Sequence, residues 1–313
     1  MITTKSPEVF RNMGFWNETF QQAILDTKIA IGGQGGAGFL YGLELARIGV
    51  QNFTIADPEV FERVNGNRVL GVNECTIGLN KAEVFAEEVL KFNPDAKINI
   101  LTDGVTEDNI EEFAYGANLI LNATELSMPE LGTMIARQAR KIDVPVLDIE
   151  YIGYAAQVTS FHPRSKTTFE RFMGIEGGEN APLDEVKDQK INTSRFLAYL
   201  PPYADIKTLI EVQNGASLPS NMLGAGQATQ LGVAETLKHI RTRIGLNSTR
   251  NTKPIYAPKV RWYDAYSGES GVSSHPRISY YKHLARLVIT NKLLRNNEEA
   301  SYSQHDREFR GDV

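Results

Sequence analysis

The chain has 313 residues, 42% hydrophobic and 23% charged, with a net charge of −5, which is the profile of a globular protein with apolar material for a real core. No apolar run nears the roughly 20 residues that cross a bilayer, and the first ten residues carry neither a basic nor an apolar signal region. The single cysteine, Cys75, excludes an internal disulfide framework and any multi-cysteine zinc site. A cytoplasmic protein without a membrane partner is therefore expected. Charge is uneven: Lys238 to Arg295 holds twelve Lys or Arg against Asp264 and Glu269, a net of +10 that leaves −15 for the remainder. Such a stretch attracts nucleic acid, an acidic peptide or the acidic body of the same chain.

In chain order, Pro7 to Asp26 reads as helical, with Phe10, Phe15, Phe20 and Ile24 as its apolar residues. Lys28 to Ile31 is a β-branched run that ends in glycines, a helix follows, and Phe53 to Ala56 is the next strand. This strand, glycine loop, helix and strand form the βαβ unit of a doubly wound sheet. Helices are expected at Lys81 to Phe92, stopped by Asn93-Pro94, at Glu107 to Phe113 and at Pro129 to Lys141. Strands are expected at Ile98 to Leu101, Leu119 to Asn122 and Pro145 to Ile149, with an antiparallel addition at Gln157 to Phe161. Residues 166–217 read as an insertion of loops and short helices, punctuated by Gly177, Gly178, Pro182, Pro201 and Pro202. A long helix at Asn221 to Ile244, a strand at Val260 to Ala265, a helix at Tyr280 to Leu294 and a mobile tail from Asn296 complete the reading. The fold class is α/β: a Rossmann-like, doubly wound, mostly parallel sheet with helices on both faces and antiparallel additions towards the C-terminus. Residues 1–245 are assigned to a nucleotide-binding domain and 246–313 to a basic extension.

Gly33-Gln34-Gly35-Gly36-Ala37-Gly38 fits G-x-G-x-x-G after a strand and before a helix. Absent side chains there let backbone N–H groups at a helix N-terminus approach phosphate oxygens. Asp57, 19 residues past Gly38, ends the next strand, where an acid accepts ribose hydroxyls. This pair alone says adenine nucleotide, and a nicotinamide oxidoreductase or a structural glycine turn would also show it. The strand leads into a polar loop, Asp57-Pro-Glu-Val-Phe-Glu-Arg-Val-Asn65-Gly-Asn-Arg68, and further on come Gly78-Leu-Asn-Lys81-Ala-Glu-Val and Asn93-Pro94. These segments closely resemble the D-x-D…N-x-x-R, G-x-x-K-A-E and N-P motifs of the ThiF/MoeB/ubiquitin-activating superfamily. The resemblance runs from about Phe10 to Ile240, and Val105 to Asn109 is similar to the tRNA-cyclising TcdA branch.

That resemblance implies ATP with magnesium, and adenylation of a carboxylate on a peptide, protein C-terminus or small metabolite. Gly33, Gly35, Gly36 and Gly38 would cradle phosphates and Asp57 would hold the ribose. Asn65, Arg68 and Lys81 would bind the triphosphate, Arg68 as a bidentate donor and Lys81 as a point charge; Asn65 capping a turn is the plainer alternative. Arg11, two residues nearer the first strand than the family pattern has it, corresponds to an arginine given to a partner subunit's ATP, with a plain surface arginine as the alternative; a homodimer is implied by the resemblance. Two departures stand out. Asn122-Ala-Thr-Glu125 replaces D-x-T-D, so Glu125 is the implied magnesium ligand. Neither the nucleophilic cysteine nor paired C-x-x-C motifs are present, so no zinc is expected and Cys75 reads as a buried or half-exposed inert thiol. A tRNA-modifying dehydratase is the runner-up, with Trp262, Tyr263, Tyr266, Tyr280 and Tyr281 as base-stacking or core residues. A nucleotide-binding scaffold with little turnover and a nicotinamide-dependent oxidoreductase complete the alternatives.

Overall fold

The computed structural model describes residues 2–213, 219–246 and 252–294. Eight strands form one sheet in the order β3-β2-β1-β4-β5-β6-β7-β8: β1 (Lys28–Gly32), β2 (Asn52–Ala56), β3 (Lys97–Leu101), β4 (Leu119–Asn122), β5 (Val146–Ile152), β6 (Ala155–Phe161), β7 (Val260–Asp264) and β8 (Ser270–Ser273). The first five are parallel; the last three join antiparallel. The helices are α1 (Pro7–Phe10), α2 (Glu18–Leu25), α3 (Gly36–Ile48), α4 (Lys81–Leu90), α5 (Ile110–Ala114), α6 (Pro129–Lys141), α7 (Phe169–Met173), α8 (Leu183–Lys187), α9 (Ile206–Gln213), α10 (Met222–Arg243) and α11 (Pro276–Leu294).

Strand alternation feeds two cores. Ile29, Ile31, Phe53, Ile55, Leu121 and Ile149 pack with Phe39, Phe85 and Val233 from α3, α4 and α10 on one face. Ala30, Ile120, Val146 and Ile152 pack with Phe113, Ile135 and Phe169 on the other. A strand buried on both sides has no polar alternation, which is why these read as continuous apolar runs. The parallel pattern ends at Gly153, which at φ +60° turns β5 back into β6.

Three expectations change. The N-terminal helix is two: Gly14 at φ +102° separates α1 from α2, so Phe10 (69% exposed) and Phe15 (87% exposed) leave the core while Phe20 and Ile24 remain in it. Strand β8 escapes the sequence pattern because Ser-Gly-Val-Ser is short, polar and at a sheet edge. Helix α11 starts at Pro276, whose fixed φ and missing N–H suit a first helical turn, rather than at Tyr280. The tail from Asn296 lies outside the described residues. In the 166–217 insertion, α7 is fastened to α6 by buried Glu170, which accepts from Arg140 at 2.6 and 2.9 Å and from Arg137 at 3.3 Å.

Candidate nucleotide site

The site lies where the strand order reverses, between β1 and β4, at the carboxyl ends of the parallel strands. Gly33 turns at φ +97°, and a Cβ there would lie 2.3 Å from the Ala123 carbonyl oxygen; a Cβ on Gly38 would lie 2.1 Å from the Gly33 carbonyl oxygen. These two glycines let the loop after β4 pass directly over the loop after β1. Gly35 is the N-cap of α3 and offers no side-chain cap, and the space beside it is open, with nothing within 4 Å of where its Cβ would be. The first-turn N–H groups of α3 have no intrahelical acceptors. An uncapped helix start facing open space is an anion cradle.

Asp57 is 5% exposed. Its Oδ2 accepts from the Gln34 N–H of the glycine loop at 2.5 Å and its Oδ1 from the Glu59 N–H at 2.8 Å. Burial pushes its pKa up, against those two N–H groups and the Lys81 charge. Each carboxylate oxygen keeps a lone pair free to accept a further hydrogen bond. Lys81 is 4% exposed, opens α4 and pairs with the carboxylate of Glu59. A cation at a helix N-terminus opposes the helix dipole, an unfavourable placement of roughly 0.3–1 kcal/mol. Its partner Glu59 is a single exposed carboxylate, weak compensation for a buried ammonium.

Arg68 follows a 3-10 turn, Arg63–Asn67. Its Nη1 donates to the Val64 carbonyl at 2.9 Å and to Asn67 Oδ1 at 3.1 Å, while its own carbonyl lies 3.1 Å from where a Cβ on Gly36 would be. Asn65 is buried and its Oδ1 accepts the Glu62 N–H at 3.1 Å, so its side chain caps the turn that presents Arg68. The plainer of its two readings therefore describes this geometry. Glu125 is exposed on the loop after β4, near enough for its charge to act on the Tyr151 phenol. Among the described residues no group of three His, Cys, Asp or Glu converges as a metal site. A magnesium ion on Glu125 would accordingly complete its oxygen shell from phosphate and water. Arg11 stands apart: neighbouring Asn12 donates to the Ile48 carbonyl at the far end of α3, about 20 Å along that helix from the glycine loop. Cys75 is exposed, not buried or half-buried.

Sequence reading missed three residues. Glu59, the second acid of Asp57-Pro-Glu59, is the partner of Lys81. Tyr151, at the end of β5, places its hydroxyl over Gly36. Asp148 is buried beside Asn122, whose Nδ2 donates to its Oδ1 at 3.2 Å; burial raises Asp148 to about 7 and Glu150 well above its ordinary value. The Asp57-Pro-Glu59 spacing carries a signal for Glu59, but none marks Asp148, Glu150 or Tyr151, since β5 reads as one more core strand. A cavity of about 740 Å³ between β8 and α11 lies at the outer edge of the sheet, away from the glycine loop. The uncapped backbone amides at the start of α3, not cavity size, mark the candidate anion site.

The sequence profile of the ThiF family matches residues 9–271. The chain belongs to the ThiF family. Among its relatives, the tRNA threonylcarbamoyladenosine dehydratase of Escherichia coli (strain K12) is 29% identical over 128 residues, 41% of this chain and 48% of that protein. The sulfur carrier protein ThiS adenylyltransferase of the same organism is 24% identical over 143 residues, 46% of this chain and 56% of that protein. The ThiF-family chain thus spans about half the length of the curated relatives it matches. The structure of E. coli MccB with ATP superposes with a TM-score of 0.62 at 15% identity, covering 86% of this chain and 72% of that one. PaaA superposes at 0.53 and 19%, covering 81% and 65%. At these identities the likeness is one of fold, and it matches the mixed sheet described above. Among the described residues no helix is long and apolar enough to cross a membrane.

Proposed function

We propose that this ThiF-family chain uses ATP and magnesium to adenylate a carboxylate on a peptide, a protein C-terminus or a small metabolite. The observation that carries this reading is the open, uncapped start of α3, bordered by Asp57 and by a lysine buried at a helix N-terminus. A carboxylate oxygen attacks the α-phosphorus in line; the bond from that phosphorus to the pyrophosphate oxygen breaks, leaving acyl-adenylate and pyrophosphate. Lys81 would neutralise charge on the departing pyrophosphate, Arg68 and the α3 amides would hold phosphate oxygens, and Glu125 would share the magnesium ion. Hydride transfer needs none of Arg68, Lys81 and Glu125. The acyl-adenylate then passes to an acceptor from outside the chain, because Cys75 sits exposed on the loop before α4 rather than over the glycine loop.

Titrating the full chain with Mg·ATP and, separately, with NADH tests the nucleotide. ATP binding without NADH binding is expected, with AMP and pyrophosphate as products once a substrate is supplied; NADH binding without ATP binding would overturn the reading.

The tRNA dehydratase relative supports a second reading, in which the activated group is on tRNA. The basic C-terminal stretch supports it less than its charge suggests. Lys238 pairs with buried Glu235, Arg286 pairs with Glu269, and Arg243 donates to Ala23 and Thr27. Arg241 lies over the Phe20 ring at 5.0 Å. Trp262 stacks on Tyr199 at 4.2 Å and Tyr280 is buried, whereas Tyr266 and Tyr281 are exposed. Much of the segment is thus engaged with its own protein. For the assembly we favour a homodimer, since Arg11 is flanked by the exposed Phe10 and Phe15, which a second copy would cover.

A further inference from the structure

We propose that Tyr151 is a phosphate-binding residue of this site, its phenolic hydroxyl donating a hydrogen bond to the α-phosphate held at the N-terminus of α3. The inference rests on the nucleotide reading above and extends it to a residue on β5. Two glycines on two different helices make room for this one side chain. A Cβ on Gly36 would lie 2.7 Å from the Tyr151 hydroxyl and 3.3 Å from the Ala225 Cβ. A Cβ on Gly224 would lie 2.7 Å from the Tyr151 Cδ2 and 2.4 Å from the Gly153 carbonyl oxygen. The ring is therefore seated between α10 and the hairpin turn, with its hydroxyl at the first residue of α3. Beside that hydroxyl, at Gly35, the space is open.

The polar surroundings fit a donor aimed at an anion. Arg68 and Glu125 both act on the phenol, and the Ser220 side chain is hydrogen-bonded to it. A phenol has one proton to give and an oxygen that accepts. Ser220 can donate to that oxygen and leave the phenolic proton for a ligand. Burial raises the phenol's pKa, which keeps the proton in place at neutral pH. The strand order supplies direction: Asp57 leaves β2 on one side of the glycine loop, and Tyr151 leaves β5 on the other. With the ribose at Asp57, the phosphate nearest it, resting on the α3 amides, faces Tyr151. Pyrophosphate leaving towards Lys81 departs on the Asp57 side, because Lys81 acts on Asp57 through its charge. In-line displacement then brings the carboxylate in from the Tyr151 side. The hydroxyl is placed to hold an α-phosphate oxygen while that bond exchange proceeds.

The test is binding of ATP, AMP and adenosine, each with magnesium, to the full-length wild-type chain and to Tyr151→Phe, which keeps the ring between its glycines. ATP and AMP are expected to weaken by the same factor, about tenfold, equivalent to ~1.4 kcal/mol, with adenosine unchanged and the melting temperature preserved. Unchanged ATP and AMP affinities would overturn the role of Tyr151 alone. A loss shared equally by adenosine would make Tyr151 a packing residue and also overturn the role. Failure of the wild-type chain to bind ATP would remove the nucleotide site and this inference together.

Discussion

Asp148 and Glu150 lie on the same face of β5, two residues apart, and they set a pH dependence independent of any substrate. Glu150 accepts from Gln157 at 2.5 Å, yet its other oxygen is buried without a hydrogen-bond partner among the described residues. Burial holds a proton on Asp148 up to about pH 7, whereas its unperturbed value is 3.8; Glu150 is raised further by burial and by the Asp148 charge. Between those limits the folded state binds more protons than the unfolded chain, so stability falls as pH rises through that window. For Asp148 the loss has an upper bound of about 4 kcal/mol, at ~1.4 kcal/mol per pH unit. Denaturant melts from pH 4.5 to 8 should therefore show a decline for wild type and a shallower one for Asp148→Asn. The Asp148→Asn, Glu150→Gln double variant should lose that decline, and below about pH 6.5 buried His239, whose pKa burial lowers to about 3, tilts its stability upward with pH. A wild-type slope retained in the double variant would contradict this assignment. The glycines, Asp57, Arg68 and Lys81 were legible in the sequence because their spacing follows the loop between two strands. The acid pair and Tyr151 were not, since their positions depend on what a strand end meets after folding.

Among the elements, the inner parallel strands were readable because burial on both faces imposes a nearly unmixed apolar composition, α6 because its apolar residues recur at helical spacing, and Asn93-Pro94 and Gly49 mark helix ends. Polarity obscured β8, whose edge position asks for little apolar surface. Periodicity suggested one N-terminal helix, but Gly14 interrupts it, and Trp16 turns back so that its Nε1 donates to Gln21 at 2.8 Å. The break leaves Phe10, Arg11 and Phe15 on the surface. The antiparallel continuation through β7 was half legible. Its strand was expected, but its pairing on β6 and the acceptance of the Ile255 N–H by buried Glu235 of α10 depend on long-range contacts.

For the whole molecule, one chain supplies the glycine loop, Asp57, Arg68, Lys81, Glu125 and Tyr151 around one crevice, but holds Arg11 at the opposite end of α3. If Arg11 serves the site, a second copy must bring it there. Mixing Arg11→Ala with Lys81→Ala chains, each inactive by itself, is then expected to restore about a quarter of wild-type activity through mixed dimers, since half the dimers are mixed and each has one intact site. No recovery, with dimers present in solution, would leave Arg11 as a surface residue of its own subunit.

The central claim is attack on the α-phosphorus of ATP, and magnesium-dependent exchange of labelled pyrophosphate into ATP tests it most directly. Across a panel of small carboxylic acids, peptides and tRNA, the wild-type chain is predicted to support exchange with at least one class, and Lys81→Ala to lower it at least a hundredfold. Exchange that proceeds unchanged in Lys81→Ala, or tight ATP binding with no exchange for any member of the panel, would contradict that claim.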